Sequence, residues 1–155
     1  MMAAGLVVDA SVVVEFLAPG RHGEAADRLM GGLAWRDPLR LFAPDLIFLE
    51  AANALKKLAL RRVLAEEAAD RAVDRLLQLS LVTAGPLNLV AGAWGLRARF
   101  SIYDAVYVQL ALASGLPLVT TNRRLARAAA LTGATAWPVD HPELTRFLSI
   151  LERPK

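Results

Sequence analysis

Residues 6–15 read LVVDASVVVE, and the fold turns on how this stretch divides. Three apolar residues, Leu6 to Val8, run into a single acid, Asp9. A small hydroxyl residue, Ser11, follows, and a second apolar run begins at Val12. The first run reads as strand one over Leu6–Asp9. The second, Val12–Ala18, carries β-branched residues but is expected to be a helix, because a turn at Asp9–Ser11 caps it and Pro19-Gly20 ends it. An open α/β sheet binds ligands outside the carboxyl ends of its strands, so an acid in that position is a candidate for chemistry. One acid alone is weak evidence, and the remaining chain must supply others.

Outward from this stretch the alternation continues. Arg21–Met30 reads as a short amphipathic helix with Ala25, Leu29 and Met30 inward. Gly31–Arg40 reads as a loop containing Trp35 and Pro38, and Leu41–Ala43 as a very short strand. Pro44-Asp45 then opens a helix, LIFLEAANALKKLAL, whose first half is apolar nearly all round and therefore expected to be buried. Arg62–Leu79 reads as a second long helix with Val63, Ala69, Val73, Leu76 and Leu77 as core positions. Leu81–Thr83 is a strand. Leu87–Arg97 is a helix weakened by Gly92 and Gly95, each costing roughly 0.5–1 kcal/mol of helix propensity, so it must rely on packing. Ser101–Ala113 is a further helix, Leu118–Thr120 a strand, Arg123–Leu131 a helix and Ala134–Trp137 a last strand. The tail from His141 carries one or two more helical turns through Leu144, Phe147 and Leu148. Short strands alternating with helices predict parallel βα units with right-handed crossovers. With neither repeat nor linker, residues 1–150 are expected to form a single domain, followed by a tail over 151–155.

At 155 residues the chain is long enough for one full core. It has no cysteine, which excludes disulfides, thiol catalysis and cysteine-ligated zinc. Its apolar runs are broken well short of the about 18 residues a membrane span needs. The opening MMAAGLVVDASVVVEF has no basic n-region and carries acids in its apolar part, so it reads as the start of a mature, cytoplasmic domain. Lys and Arg number 18 against 15 Asp and Glu, a formal +3. Arg97, Arg99, Arg123, Arg124 and Arg127 lie around a stretch whose only acid is Asp104. An acidic centre with a basic rim suits a phosphodiester substrate, although an arginine-rich solvated surface gives the same count.

Three acids sit where packing logic would not choose them. Asp9 ends strand one. Glu50 falls early in the apolar helix, with Asn53 on the same face. Asp104 follows Ser101-Ile-Tyr at the start of another apolar helix. A buried carboxylate is costly unless paired, hydrogen-bonded or bound to a cation. Three in one pocket would repel one another and favour a hard divalent ion, magnesium or manganese. Each acid also has a structural alternative. Asp9 can cap a turn, Glu50 can pair with Lys56 or Lys57, and Ser101-x-x-Asp104 has the spacing of a capping box. His22 and His141 read as surface and loop residues. Ser11 and Thr120 read as turn residues or as hydroxyls beside a phosphate or water.

Four stretches together resemble the PIN-domain family of the VapC toxin type: VVDASVVVE, APDLIFLEAANAL, SIYDAVYVQLA and LVTTNRRL. They cover essentially the whole chain in the family's order. The resemblance implies a three-layer α/β/α domain with a central parallel sheet of about five short strands. It also implies an endoribonuclease toxin whose acids hold one or two Mg²⁺ or Mn²⁺ ions. Asp9, Glu50 and Asp104 match the first three acids, with Asp9 and Asp104 as ligands and Glu50 as a ligand or as the group that deprotonates water. The fourth acid of a T-x-D-x-x-L pattern is replaced by Asn122 in TTNRRL, a weaker ligand that removes one charge. Ser11 and Asn53 match positions behind the ligands or facing substrate. Arg97, Arg99, Arg123 and Arg124 are the candidates for RNA backbone contacts. Implied partners are an RNA substrate, a small antitoxin and a second copy of the chain, with Trp35, Phe42 and Phe48 among the apolar residues available to them. Asn122 also motivates an alternative, a weak or inactive PIN fold that binds RNA or protein. A phosphatase of the haloacid dehalogenase type fits poorly, because Ser11 stands where that family needs a second aspartate. A response-regulator receiver fits no better, since it needs an acid cluster before Asp9.

Overall fold

The structure, a computed structural model, describes residues 4–33 and 39–153. Five strands form one parallel sheet: β1 (Ala4–Val8), β2 (Leu39–Pro44), β3 (Val82–Ala84), β4 (Leu118–Thr120) and β5 (Ala136–Pro138), in the order β3-β2-β1-β4-β5. Leu6 lies opposite Leu41, Val8 opposite Val119, and Thr120 opposite Pro138. Leu6, Val7 and Val8 are all fully buried. An unbroken apolar run, rather than an alternating one, is what a parallel strand covered on both faces requires.

The helices are α1 (Ala10–Leu17), α2 (Gly23–Asp27), α3 (Ile47–Leu60), α4 (Glu66–Leu76), α5 (Val90–Gly95), α6 (Ile102–Ser114), α7 (Arg123–Ala130) and α8 (Pro142–Glu152). Connections from β1 to β3 step outward in one direction, and those through α5, α6 and α7 step in the other. Crossovers of one hand that run in opposite directions place their helices on opposite faces. The contacts agree: α1, α3 and α4 pack on one another, as do α5 and α6. The result is the expected α/β/α domain. Its order reverses between β1 and β4, and that reversal opens a crevice at the carboxyl ends of these two strands.

Several local expectations need correction. Strand one ends at Val8, so Asp9 is the residue between β1 and α1. β2 extends over six residues because both of its edges are paired. Arg21–Met30 is shorter as an α-helix and continues as a π-helical turn over Arg28–Leu33. The loop around Trp35 lies outside the described residues. The first half of α3 is not buried all round: Ile47, Ala51 and Leu55 form its inner stripe, whereas Leu49 is 77% exposed. α4 begins only at Glu66 and buries Ala72 and Leu76, leaving Val63 and Leu77 exposed. Phe42 and Phe48 are half-buried against the core rather than open to a partner.

Leu87–Arg97 shortens to a 3-10 turn at Pro86–Asn88 and the six residues of α5. Packing sustains this segment, as its glycines require. A Cβ at Gly92 would come within 2.1 Å of the Gln109 side chain, so the missing side chain lets α5 approach α6. The tail forms a longer helix than expected, running through residue 150 to Glu152. His141 begins it, its Nδ1 accepting from the Glu143 amide, and Arg28 pairs with Glu152 near its end.

α6 stops at Gly115, which has φ +66 and open space around its missing side chain. A left-handed residue there turns the chain toward β4. Gly115→Ala should lower unfolding free energy by roughly 1 kcal/mol, a purely backbone cost; urea denaturation would measure it, with Gly115→Asn expected to lose less.

Candidate active site

Asp9 is buried where the crevice opens, and one of its carboxylate oxygens does two things at once. Thr120 Oγ1 donates to Oδ2 at 2.7 Å, and Ser11 Oγ donates to the same oxygen at 2.8 Å. Each hydroxyl is itself held by a backbone amide. Thr121 N–H donates to Ser11 Oγ at 3.0 Å, and Asn122 N–H donates to Thr120 Oγ1 at 3.0 Å. The loop after β1 and the loop after β4 are therefore laced together through Asp9. Because both hydroxyl protons point at Oδ2, they orient that oxygen and leave Oδ1 to face other groups. Asp9 itself begins α1 but makes no side-chain cap bond, so it does not serve as a cap.

Glu50 lies in the first turn of α3 and is half-buried. Among the described residues it has no basic partner, so the pairing with Lys56 or Lys57 does not form; both lysines are exposed. Its Oε1 instead accepts a 2.7 Å bond from the Tyr107 hydroxyl. Burial raises the Glu50 pKa, the Tyr107 bond opposes that rise, and the charges of Asp9 and Asp104 add to it. Asp104, half-buried in the first turn of α6, is raised by burial first and by Asp9 second. The capping box forms only by half: Ser101 Oγ accepts from Asp104 N–H at 3.2 Å, but no bond from the Ser101 amide to the Asp104 carboxylate is present among the described residues. The Asp104 side chain is left for the crevice.

The fold thus brings Asp9, Glu50 and Asp104 near enough to perturb one another. Among the described residues no three His, Asp or Glu side chains stand close enough to form a ready-made metal cage. The donor set nevertheless suits a hard cation. All donors are oxygens, two of the three acids carry raised pKa values from burial and like charge, and none has a basic partner among the described residues. Asn122 behaves differently. It begins α7, and its Oδ1 accepts from the amides of Arg124 at 3.0 Å and Leu125 at 3.2 Å. Both lone pairs of the atom expected to act as a ligand are thus engaged in capping.

Asn53 is exposed on α3. Of the arginines, Arg97 lies over the Trp94 ring and donates to the Trp94 carbonyl, and Arg123 pairs with Asp140. Arg99 and Arg124 are exposed. Tyr107 is the site residue that sequence reasoning missed. Its signal was a polar-headed aromatic three residues after Asp104 on an otherwise apolar helix, where both share one face.

The model of the PIN domain family matches residues 6–131. This chain belongs to the PIN-domain family. Ribonuclease VapC3 of Mycobacterium tuberculosis is 35% identical over 136 residues, covering 88% of this chain and 90% of that protein. The PIN fold seen here is also that of PAE2754 from Pyrobaculum aerophilum, which is 28% identical with a TM-score of 0.63 over 97% of this chain and 98% of that one. VapBC2 from Rickettsia felis, solved bound to a promoter DNA fragment, shares the fold at 15% identity and a TM-score of 0.61, with 86% and 98% covered. In this PIN domain the acids of the three matched stretches lie near enough for their charges to act on one another.

Two measurements probe this geometry. Thr120→Val leaves the Asp9 oxygen short of a donor and the Asn122 amide short of an acceptor, and should cost roughly 2–3 kcal/mol in urea unfolding; Thr120→Ser should stay much closer to wild type. Asp104→Asn should raise Tm at pH 7 in chelator-treated buffer. The folded state disfavours the ionised Asp104, so the wild-type penalty is absent below the ordinary aspartate pKa, grows as pH rises from there, and is complete above the raised pKa. The advantage of the variant should therefore shrink as pH falls through the carboxylate range.

Proposed function

We propose that this protein is a magnesium-dependent endoribonuclease and the toxin half of a VapBC-type pair. The observation that carries the reading is that Asp9, Glu50 and Asp104 lie near enough for their charges to act on one another, without basic partners among the described residues. Similarity to a ribonuclease VapC at 35% identity supports the same reaction class. Asp9, through Oδ1, and Asp104 would hold the ion, with Glu50 beside them. A bound Mg²⁺ or Mn²⁺ would supply positive charge against the phosphoryl oxygens and lower the pKa of water.

The residues of the chain do the rest. Ser11 and Thr120 keep Asp9 from rotating. Glu50, with one oxygen held by Tyr107, accepts the proton of the attacking water as the water oxygen bonds to phosphorus and the bond to the leaving ribose oxygen breaks, that oxygen taking a proton from solvent. Arg99 and Arg124, with Arg97 and Arg123 beyond them, would contact phosphates and so position the strand without reading its sequence. With its amide oxygen capping α7, Asn122 is not needed as a ligand, and the site rests on three acids. The exposed Leu49, Leu87, Val90 and Trp94 offer apolar surface for an antitoxin or a second copy of the chain.

Asp9→Asn and Asp104→Asn should each reduce Mg²⁺-dependent cleavage of an RNA oligomer by at least about 100-fold, in line with the loss of a metal ligand or oriented charge, while circular dichroism stays native. Cleavage at the wild-type rate by both would overturn the assignment. If wild-type protein binds RNA without cutting it in Mg²⁺ or Mn²⁺, the inactive binding module that Asn122 motivates takes its place.

A further inference from the structure

The crevice contains a fully buried group to which no role has yet been given. Tyr107 lies on α6 one turn beyond Asp104, and its ring is sealed in the core. Phenylalanine would fill that space without bringing in a hydroxyl that must find a partner. The hydroxyl reaches across from α6 to α3 and donates to Glu50 Oε1 at 2.7 Å, a length typical of strong charge-assisted bonds. The Ala10 backbone amide, next to Asp9, faces the same phenol oxygen. Tyr107 thus touches the segments that carry two of the acids and shares a helix face with the third.

We infer that Tyr107 is a positioning residue, which pins one oxygen of Glu50 so that the other is presented to the ion and to the attacking water. This rests on the nuclease reading. A glutamate has three rotatable side-chain bonds, and no basic group among the described residues fixes this one. Holding Oε1 from a buried, rigid ring removes most of that freedom before any ligand arrives. Asp9 is treated in the same way by Ser11 and Thr120, so each of these two carboxylates has one oxygen bonded and one left for chemistry.

Tyr107→Phe keeps the ring and deletes the bond. Mn²⁺ affinity measured by titration calorimetry should weaken about tenfold, the usual effect of removing a group that orients a ligand. The kcat on an RNA oligomer should fall comparably with KM unchanged, and Tm should stay near that of wild type. In a Glu50→Gln background the same change should alter Mn²⁺ affinity less than about twofold, because coupled residues are not additive. A Tyr107→Phe protein that loses stability but binds Mn²⁺ and cleaves RNA as wild type does would overturn the proposal, leaving Tyr107 as a satisfied core phenol. Wild-type protein that neither binds Mn²⁺ nor cleaves RNA would overturn the nuclease reading itself.

A second measurement leaves Tyr107 in place. Tyr103 and Tyr107 are the two tyrosines of the chain, and Tyr103 is exposed. In Tyr103→Phe protein, the intensity ratio of the Raman tyrosine doublet should change in proportion to Mg²⁺ bound, as charge is drawn from Glu50. A doublet unchanged at saturating Mg²⁺ would also overturn the proposal.

Discussion

One buried carboxylate oxygen, Asp9 Oδ2, is where the fold and the site become the same object. It accepts from a hydroxyl after β1 and from a hydroxyl at the end of β4, and those hydroxyls are in turn held by the amides that follow β4. Hydrogen bonds to a charged group contribute about 1.5–3 kcal/mol each. Apolar packing alone would set β4 beside β1, but it would not fix the direction of a carboxylate. The sheet order supplies the place, because the chain reverses direction between these two strands and leaves a crevice between them. The lacing supplies the aim.

The other two acids reach the crevice by a different device. Glu50 and Asp104 each lie in the first turn of a helix. Helix N-termini carry partial positive charge that favours a carboxylate by about 0.3–1 kcal/mol. In a parallel sheet these N-termini follow the carboxyl ends of the strands, so the geometry that opens the crevice also tilts its electrostatics toward anions. Burial and mutual repulsion outweigh that help, because both residues have raised pKa values. The site is tolerated by the fold rather than favoured by it.

How much of this was legible depends on whether the cause is local. The β/α alternation, the five strands and the three acids could be read from apolar runs broken by unexpected charges. The short α5 was half legible: Gly92 announced a weak helix, but only the contact with Gln109 explains why any helix survives. The long α8 was not, since its end is held by Arg28, 124 residues away in sequence. Tyr107 escaped because a buried phenol bonded to a distant acid and one in an apolar pocket have the same local sequence. Asn122 was recognised as a departure from an acid, yet its role as a helix cap follows from ordinary asparagine chemistry before Arg123-Arg124-Leu125. The sequence leaves Ser11 and Thr120 as turn residues or as hydroxyls beside a phosphate or water, with Ser11 also a candidate to stand behind the ligands; the structure turns both hydroxyls onto Asp9.

The charge arrangement gives the Asn122 position a further meaning. Among the described residues, the ion pairs are Arg28–Glu152, Arg123–Asp140 and Arg146–Glu143, all at the surface, and none draws on the acids of the crevice. The three acids of the site thus keep their negative charge uncompensated by any ion pair among the described residues. An aspartate capping α7 would add a fourth negative charge and neutralise the positive end of that helix. Asparagine makes the same two cap bonds while leaving that end uncompensated. A crevice with one charge fewer would hold a cation more weakly and repel an incoming phosphate less. On the proposed reading, asparagine at this position would favour admitting a strand over holding the ion.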